Sequence, residues 1–467
     1  MGEVGAHAAG VERLVESYRA LPDGAPVRLA KRTSNLFRGR SRTGVPGLDV
    51  SGLTGVVAVD TTARTADVAG MCTYEDLVAA TLPHGLTPLV VPQLKTITLG
   101  GAVTGLGIES ASWRNGLPHE SVLELDIFTG AGDVVTARPT GEHADLYRGF
   151  PNSYGSLGYA TRLRIALEPV GRAVALRHVR FHDLADLVAA IDAIVATGQW
   201  EGEEVDYLDG VVFTAEEAYL VLGARTDDPG PTSDYTGSGI YYRSIQHDAP
   251  RPRRDLLTTH DYLWRWDTDW FWCSRAFGVQ NPRIRRLWPR RLKRSSVYWR
   301  LVALDRRFGI ADRIEARHGR PPLERVVQDV ELPLERTEEF LWWFLSEIPI
   351  EPLWLCPLRL RETSTALLAP GERHPWPLYP LRPRHTYVNV GFWSAVAATP
   401  GRPGATNRRI EEQVTALGGH KSLYSEAFYG PEEFAGLYGG AAYADLRDRY
   451  DPQHRLTDLY TKVVRNR

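Results

Sequence analysis

The residues best suited to hold a ligand form one run: Thr98, Leu99, Gly100, Gly101, Ala102, Val103, Thr104, Gly105, Leu106, Gly107, Ile108, Glu109 and Ser110. Glycines among small neighbours let a backbone approach a ligand closely, and successive free amides in a turn bind an anion. The run therefore suits a phosphate or a flat ring. It is not the dinucleotide fingerprint: Gly105 and Gly107 lack a third glycine, and no strand, helix and ribose-binding acid follow at the usual spacing. The same glycines would equally make a tight turn and a bulge that bind nothing. Context favours a ligand. Lys31, Arg32, Thr33, Ser34 and Asn35 follow a short β-rich run, and the stretch 151–159, ending in Gly158 and Tyr159, precedes another. Three such donor-rich loops can converge on one large anionic cofactor.

Two carboxyls could supply a proton. Glu109 sits in the glycine run, and Asp209 lies in the β-rich segment Leu208 to Val212. A carboxyl in an apolar pocket has a raised pKa and stays protonated, as a general acid must. Glu109 could equally accept hydrogen bonds from loop amides, and Asp209 with Gly210 is a common turn pair. Tyr154, Tyr207 and His260 are weaker donors, and His260 reads better as a residue of a solvated helix.

Elements must position these groups. Up to residue 170, short β-rich runs (26–31, 55–60, 65–69, 123–129, 161–167) alternate with turns, and helical spacing falls at 74–83, which predicts an α+β region closed by Pro169. Strand, helix, strand, strand then follow at 179–182, 183–198, 205–214 and 218–224. The same order returns at 326–333, 334–348, 351–360 and 386–392. Two β-α-β-β units can pair their strands in one sheet with helices on one side. The expected division is a domain at 1–170 and a second at 171–467, with 227–323 inserted between its halves and a helical region at 395–467. In that region 407–417, 431–438 and 443–450 carry helical spacing.

Bulk properties agree. A chain of 467 residues is too long for one core, and 43% hydrophobic with 24% charged residues is ordinary globular composition. A net charge of -2 speaks against nucleic acid as partner. The three cysteines are widely spaced without a C-x-x-C pair, so neither a disulfide framework nor a metal site is expected, and a reducing cytoplasm fits. No signal-peptide core and no run of about 18 apolar residues occurs. Five lysines against fifty arginines suggest a GC-rich bacterial genome.

The order of the three loops, with 122–126 and 130–134 between them, resembles the FAD domain of the vanillyl-alcohol oxidase/p-cresol methylhydroxylase (VAO/PCMH) superfamily. Within it the chain is most similar to the delta-24 sterol reductases, through Gly107 to Ser110, Val326 to Asp329, Trp354 to Pro357, and Leu423 with Tyr424. The similarity runs from about residue 25 to 450. It implies an N-terminal FAD-binding domain and a substrate (cap) domain built on the duplicated unit. FAD would be lined by Thr98 to Ser110, met at its pyrophosphate by Lys31 to Asn35 and at its adenine by Gly158 and Tyr159. Many members attach flavin through a His of the first loop or a Cys near the second. Arg32, Thr33 and Ser34 stand in the first loop and no Cys in the second, so non-covalent FAD is expected. The membrane-anchoring N-terminal helix of eukaryotic sterol reductases has no counterpart here.

The reaction this implies is reduction of an isolated alkene, in which an acid protonates one carbon and the tertiary cation takes a flavin hydride. A sterol side chain and a methylene-branched fatty-acyl chain both meet that requirement. The bacterial composition favours the acyl chain (10-methylene to 10-methyl, as methylene-stearoyl reductases perform it), and the sequence similarity favours the sterol. NADPH is the implied reductant. An oxidase or dehydrogenase of an alcohol or hydroxy acid, and a flavin-free lipid-binding protein, are the other classes open. Within the insertion, residues 262–272 hold four Trp, one Tyr and one Phe, and 283–294 hold seven cations and no acid. Such a mixture suits a membrane interface at the cytoplasmic face, with the alternative that the tryptophans are core and the arginines a solvated face.

Overall fold

The computed structural model describes residues 3–31, 37–38, 44–228, 230–248, 251–309, 313, 316–319, 321–368 and 370–465. The first domain is a mixed layer of helices on a six-stranded antiparallel sheet. Its strands are β1 (Val56–Asp60), β2 (Thr65–Ala69), β3 (Leu86–Pro88), β4 (Val122–Phe128), β5 (Val134–Ala137) and β6 (Tyr159–Pro169), in the order β1-β2-β6-β4-β5 with β3 also on β6. The expected runs at 55–60, 65–69, 123–129 and 161–167 are all strands, within two residues. The run at 26–31 is only a pair of isolated bridges, Val27 with Leu456 and Leu29 with Leu48. A helix at Glu3–Arg19, not anticipated from the sequence, packs Leu14 into a small core with Leu48 and Leu53.

The second sheet starts with β7 (Ala173–Phe181). After a two-residue hairpin, β8 (Gln199–Trp200) with β9 (Glu203–Glu204), come β10 (Tyr207–Thr214), β11 (Glu217–Thr226), β12 (Arg253–Thr258), β13 (Leu323–Pro333), β14 (Leu353–Arg359), β15 (Thr386–Ala397) and β16 (His420–Lys421). Eight of these form one antiparallel sheet in the order β12-β7-β11-β10-β14-β15-β13-β16. One β-α-β-β unit contributes β7-β11-β10, and the other contributes the reverse, β14-β15-β13. They meet where Val211 pairs with Trp354. The helix Leu184–Thr197 links the first unit and Leu334–Glu347 the second. Asp183 caps the former, accepting from the amides of Ala185 and Asp186, and Gly198 ends it at φ +71°.

Strand alternation divides this sheet into two different faces. Leu208, Val212, Val326, Val330, Leu353, Leu355, Val388 and Val390 pack beneath the two helices. Their neighbours on the opposite face look toward the first domain: Asp209, Asp329, Glu331, Trp354, Cys356, Asn389 and Trp393. A sheet buried on both sides can carry polar groups only where they have partners or open into a cavity, and both cases occur here.

The insertion is not a separate module. Its strand β12 extends the sheet edge, and Tyr262, Trp264, Trp266, Trp270 and Trp272 are each at most 3% exposed. The aromatic half of the expected docking surface is therefore core, since each ring gains more from burial, about 1.5–3 kcal/mol, than from solvent. At the chain's end, helices run at Ala405–Ala416, Pro431–Leu437 and Gly440–Tyr450. The last of these returns to the first domain, where the Tyr450 hydroxyl donates to Asp145 and Arg455 Nε donates to the carbonyl of Ala25. Among the described residues no helix is long and apolar enough to cross a membrane.

Candidate active site

A large cleft of about 1370 Å³, counted out to its open mouth, is lined by residues of both sheet layers. Its first-domain wall begins at the helix Leu99–Gly105. The glycine run is thus helical in its first half and not a loop, because Thr98 caps it with a hydroxyl that accepts from the Gly101 amide. Gly100 permits a close approach: a side chain there would stand 2.6 Å from the carbonyl oxygen of Gly70. The helix ends in strain, with Leu106 at φ +55°, and Tyr154 facing it is at φ +49°. Non-glycine residues in this region cost of order 1–3 kcal/mol and collect at ligand sites. Tyr154 is held there by its hydroxyl, which donates to Gly105 O at 2.6 Å, and by its amide, which donates to Thr104 O.

Among the residues expected to meet a cofactor, Lys31, Thr98, Gly100, Gly101, Ala102, Thr104, Gly105, Leu106, Gly107, Ile108, Gly158 and Tyr159 line the cleft. Leu99 and Val103 turn the other way, into the core, and Glu109 and Ser110 lie behind the wall. Arg32, Thr33, Ser34 and Asn35 lie outside the described residues. Lys31 Nζ donates to Thr98 Oγ1 at 2.8 Å, which places a cation at the start of the glycine helix. Gly158, at φ +134°, lets its strand pass within reach of Phe128, where a side chain would be 2.6 Å from the carbonyl oxygen. This donor set fits an anionic dinucleotide: a cation, a cap hydroxyl, glycines that expose backbone, and an apolar floor for a ring.

The two expected acids are not at the cleft. Arg265, from the insertion, lies between them, with Nη2 at 2.7 Å from Glu109 Oε1 and 2.9 Å from Asp209 Oδ2. Asp209 Oδ2 also accepts from Trp266 Nε1 and Trp354 Nε1. Asp209 is a mid-strand residue of β10 and not a turn residue. Burial raises the Glu109 pKa while Arg265 opposes the rise. This sealed cluster anchors the end of the glycine run to the second sheet. The backbone does the same, since Leu208 N donates to Ser110 O at 2.8 Å. Of the weaker donors, Tyr154 lines the cleft, Tyr207 packs at a tilt against the Tyr262 ring in the core, and His260 is exposed beside Asp261.

The second-domain end of the cleft carries the residues that were not singled out as functional. Phe271, Trp354, Trp393, Tyr424 and Asp329 line it. Asp329 projects from β13 opposite Gly391, and a side chain at Gly391 would collide with its carboxyl. Burial pushes the Asp329 carboxyl up to about 7, with Tyr424 and Asn389 pulling the other way. Glu331, two residues on and fully buried, is pushed up to about 8 and accepts from Ser422 Oγ at 2.9 Å. Trp393 Nε1 donates to Tyr424 Oη at 2.9 Å, which fixes the phenol at the cleft wall. The segments 326–329 and 423–424 were visible as points of family similarity. The missing signal was which strand face Asp329 occupies.

Residues 6–138 match the family described as FAD binding domain. The chain is 26% identical over 424 residues to the Delta(24)-sterol reductase of Homo sapiens, covering 88% of this chain and 76% of that one. It is 23% identical over 445 residues to that of Arabidopsis thaliana, covering 90% and 77%. Cytokinin dehydrogenase 6 of Oryza sativa subsp. japonica is 33% identical over 146 residues, 31% of this chain and 27% of that one. Residues 6–138 thus carry an FAD-binding domain, and the chain is similar along most of its length to flavin-dependent oxidoreductases of the VAO/PCMH type. Its similarity to the delta-24 sterol reductases extends over 88% of the chain.

Proposed function

We propose that this oxidoreductase saturates an unactivated carbon–carbon double bond in a lipid, and that its substrate is a methylene-branched fatty-acyl chain converted from 10-methylene to 10-methyl. The observation that carries this reading is the Asp329 carboxyl, held near neutral pKa at the aromatic end of the cleft. A carboxyl that keeps its proton near pH 7 can protonate an alkene carbon, which an ionised base cannot do. The first domain, 1–170, holds non-covalent FAD, and the second, 171–467, shapes the substrate end. Bound there and reduced, FAD would supply a hydride, with NADPH as the proposed source of electrons.

The chain's own residues do the rest. Asp329 gives its proton to the terminal alkene carbon, leaving a tertiary cation at the branch that the hydride completes. The proton is restored to Asp329 from solvent by way of the open cleft that it lines. Phe271, Trp354 and Trp393 keep water from that cation and offer it their ring faces. Glu109 and Asp209 hold the architecture and donate no proton. The protein works in the cytoplasm of a bacterium, peripheral at the inner face of the membrane where its lipid resides.

A sterol side chain is the second reading, supported by similarity to sterol reductases over 88% of the chain. An oxidase reading would use Asp329 as a base, and it draws support only from the shorter similarity to a cytokinin dehydrogenase. Anaerobic photoreduction followed by mixing separates these. Reoxidation by a methylene-stearoyl lipid and not by desmosterol-type alkenes is the expected outcome. Reoxidation by neither alkene, with flavin reduction by an alcohol or amine instead, would remove the reductase reading.

A further inference from the structure

The basic stretch of the insertion separates into two sides. On the inner side Trp288 joins Phe37, Trp270, Trp299, Trp393 and Tyr424 in one aromatic cluster, with Phe37 and Trp393 at 5.1 Å. Phe37, Trp393 and Tyr424 are also wall residues of the cleft. On the outer side Leu287 is 84% exposed, Ile284 42% and Leu292 37%, more than an apolar side chain gains from in water. Around them stand Arg283, Arg286, Arg290 and Arg291, all exposed, and no acid occurs in the sequence from 270 to 304. Arg285 is committed to Asp269, Arg294 to Glu75 and Arg290 to Asp234. Among the described residues the side chains of Arg283, Arg286 and Arg291 have no ion pair.

We infer that residues 282–292 are the surface by which the protein sits on an anionic phospholipid membrane, with Ile284, Leu287 and Leu292 entering the headgroup layer and Arg283, Arg286 and Arg291 meeting phosphates. Apolar side chains amid unpaired cations match that interface, and the cations favour an anionic surface over a neutral or basic one. The position supports the same occupant. The aromatic cluster that holds Trp288 also supplies Phe37, Trp393 and Tyr424 to the cleft wall, so a lipid held by its headgroup here lies on the side of the site. The inference deepens the lipid reading above by naming where the lipid is met, and it rests on that reading for the substrate alone.

The test uses the yellow holoprotein and vesicles of phosphatidylcholine, with or without phosphatidylglycerol. Wild type is expected to sediment with the anionic vesicles and to stay in solution with the neutral ones. L287D, and R283E/R286E/R291E, are expected to keep flavin content and melting temperature and to lose vesicle affinity, by about fivefold for each arginine removed. Turnover of a short, water-soluble methylene acid should be unchanged in these variants while turnover of the vesicle-held lipid falls. Absence of turnover in every protein would count against the reductase reading and leave the sedimentation result to decide the surface. Equal sedimentation of wild type and variants would overturn the inference. So would a wild type that ignores anionic vesicles and instead self-associates, or binds RNA, through this face.

Discussion

Arg265 Nη2 lies 2.7 Å from Glu109 Oε1, with side-chain exposures of 0% and 6%. The same nitrogen reaches Asp209 at 2.9 Å, so one guanidinium from the insertion binds the end of the glycine run to the second sheet. Two buried carboxyls around one cation are stable only while the cation is there.

Removing it is therefore expected to be severe. Arg265→Met should cost about 3–5 kcal/mol in chemical denaturation, because it leaves buried charge without a partner. The triple variant R265M/E109Q/D209N should regain part of that loss. A single Arg265→Met that melts with wild type would show that the cluster is not holding the domains.

The proposed proton donor, Asp329, is separable from that cluster. Asp329→Asn should keep flavin and lose about 10²–10⁴ in alkene reduction, whereas Glu109→Gln should keep most turnover. The wild-type rate should fall as pH rises through about 7, where Asp329 loses its proton. The residual rate of Asp329→Asn should lack that step. Rapid-mixing rates of photoreduced enzyme across pH measure both.

Stability should respond to pH in the opposite sense to an ordinary ion-paired carboxylate. Asp329 and Glu331 have folded values of about 7 and 8, above their ordinary values of 3.8 and 4.5. The folded protein keeps protons that the unfolded chain releases, so the contribution of these two groups is greatest below their unfolded values and falls as pH climbs toward 8. Glu331→Gln should flatten the decline of melting temperature over that range. A slope equal to wild type would place the burden elsewhere.

Gly100→Ala tests the cradle. Its new methyl group would meet the Gly70 carbonyl at 2.6 Å and push the helix Leu99–Gly105 into the cleft. Visible flavin absorbance per mole of purified protein should drop several-fold, and added FAD should restore it only in part. Full flavin content would mean that the helix can shift without harm to the cofactor.

Much of this was legible in the chain. Alternation placed most strands, among them the two that pair at Val211 and Trp354. Asp183 and Gly198 marked their helix ends by cap chemistry that acts within a few residues. What escaped depends on distance in sequence. Glu109 and Asp209 look like free acids until Arg265 is brought between them from more than fifty residues away. Asp329 looks like one more charge on a strand until its face is known and Gly391 opposite leaves it room. The helix at Glu3–Arg19 escaped because only a narrow stripe of it is buried, which leaves little periodic signal. The tryptophans of 262–272 had two environments compatible with the same composition, and packing chose the core.

The amide of Leu208 bound to the carbonyl of Ser110 has a kinetic meaning. With that bond and the Arg265 cluster as a seam, the two halves cannot swing apart like a bivalve between turnovers without breaking buried polar contacts together. On the proposed lipid reading, a long aliphatic guest would instead be threaded lengthwise through the standing mouth and withdrawn the same way. Release should then slow as the guest lengthens, making egress and not chemistry the pacemaker for the longest chains.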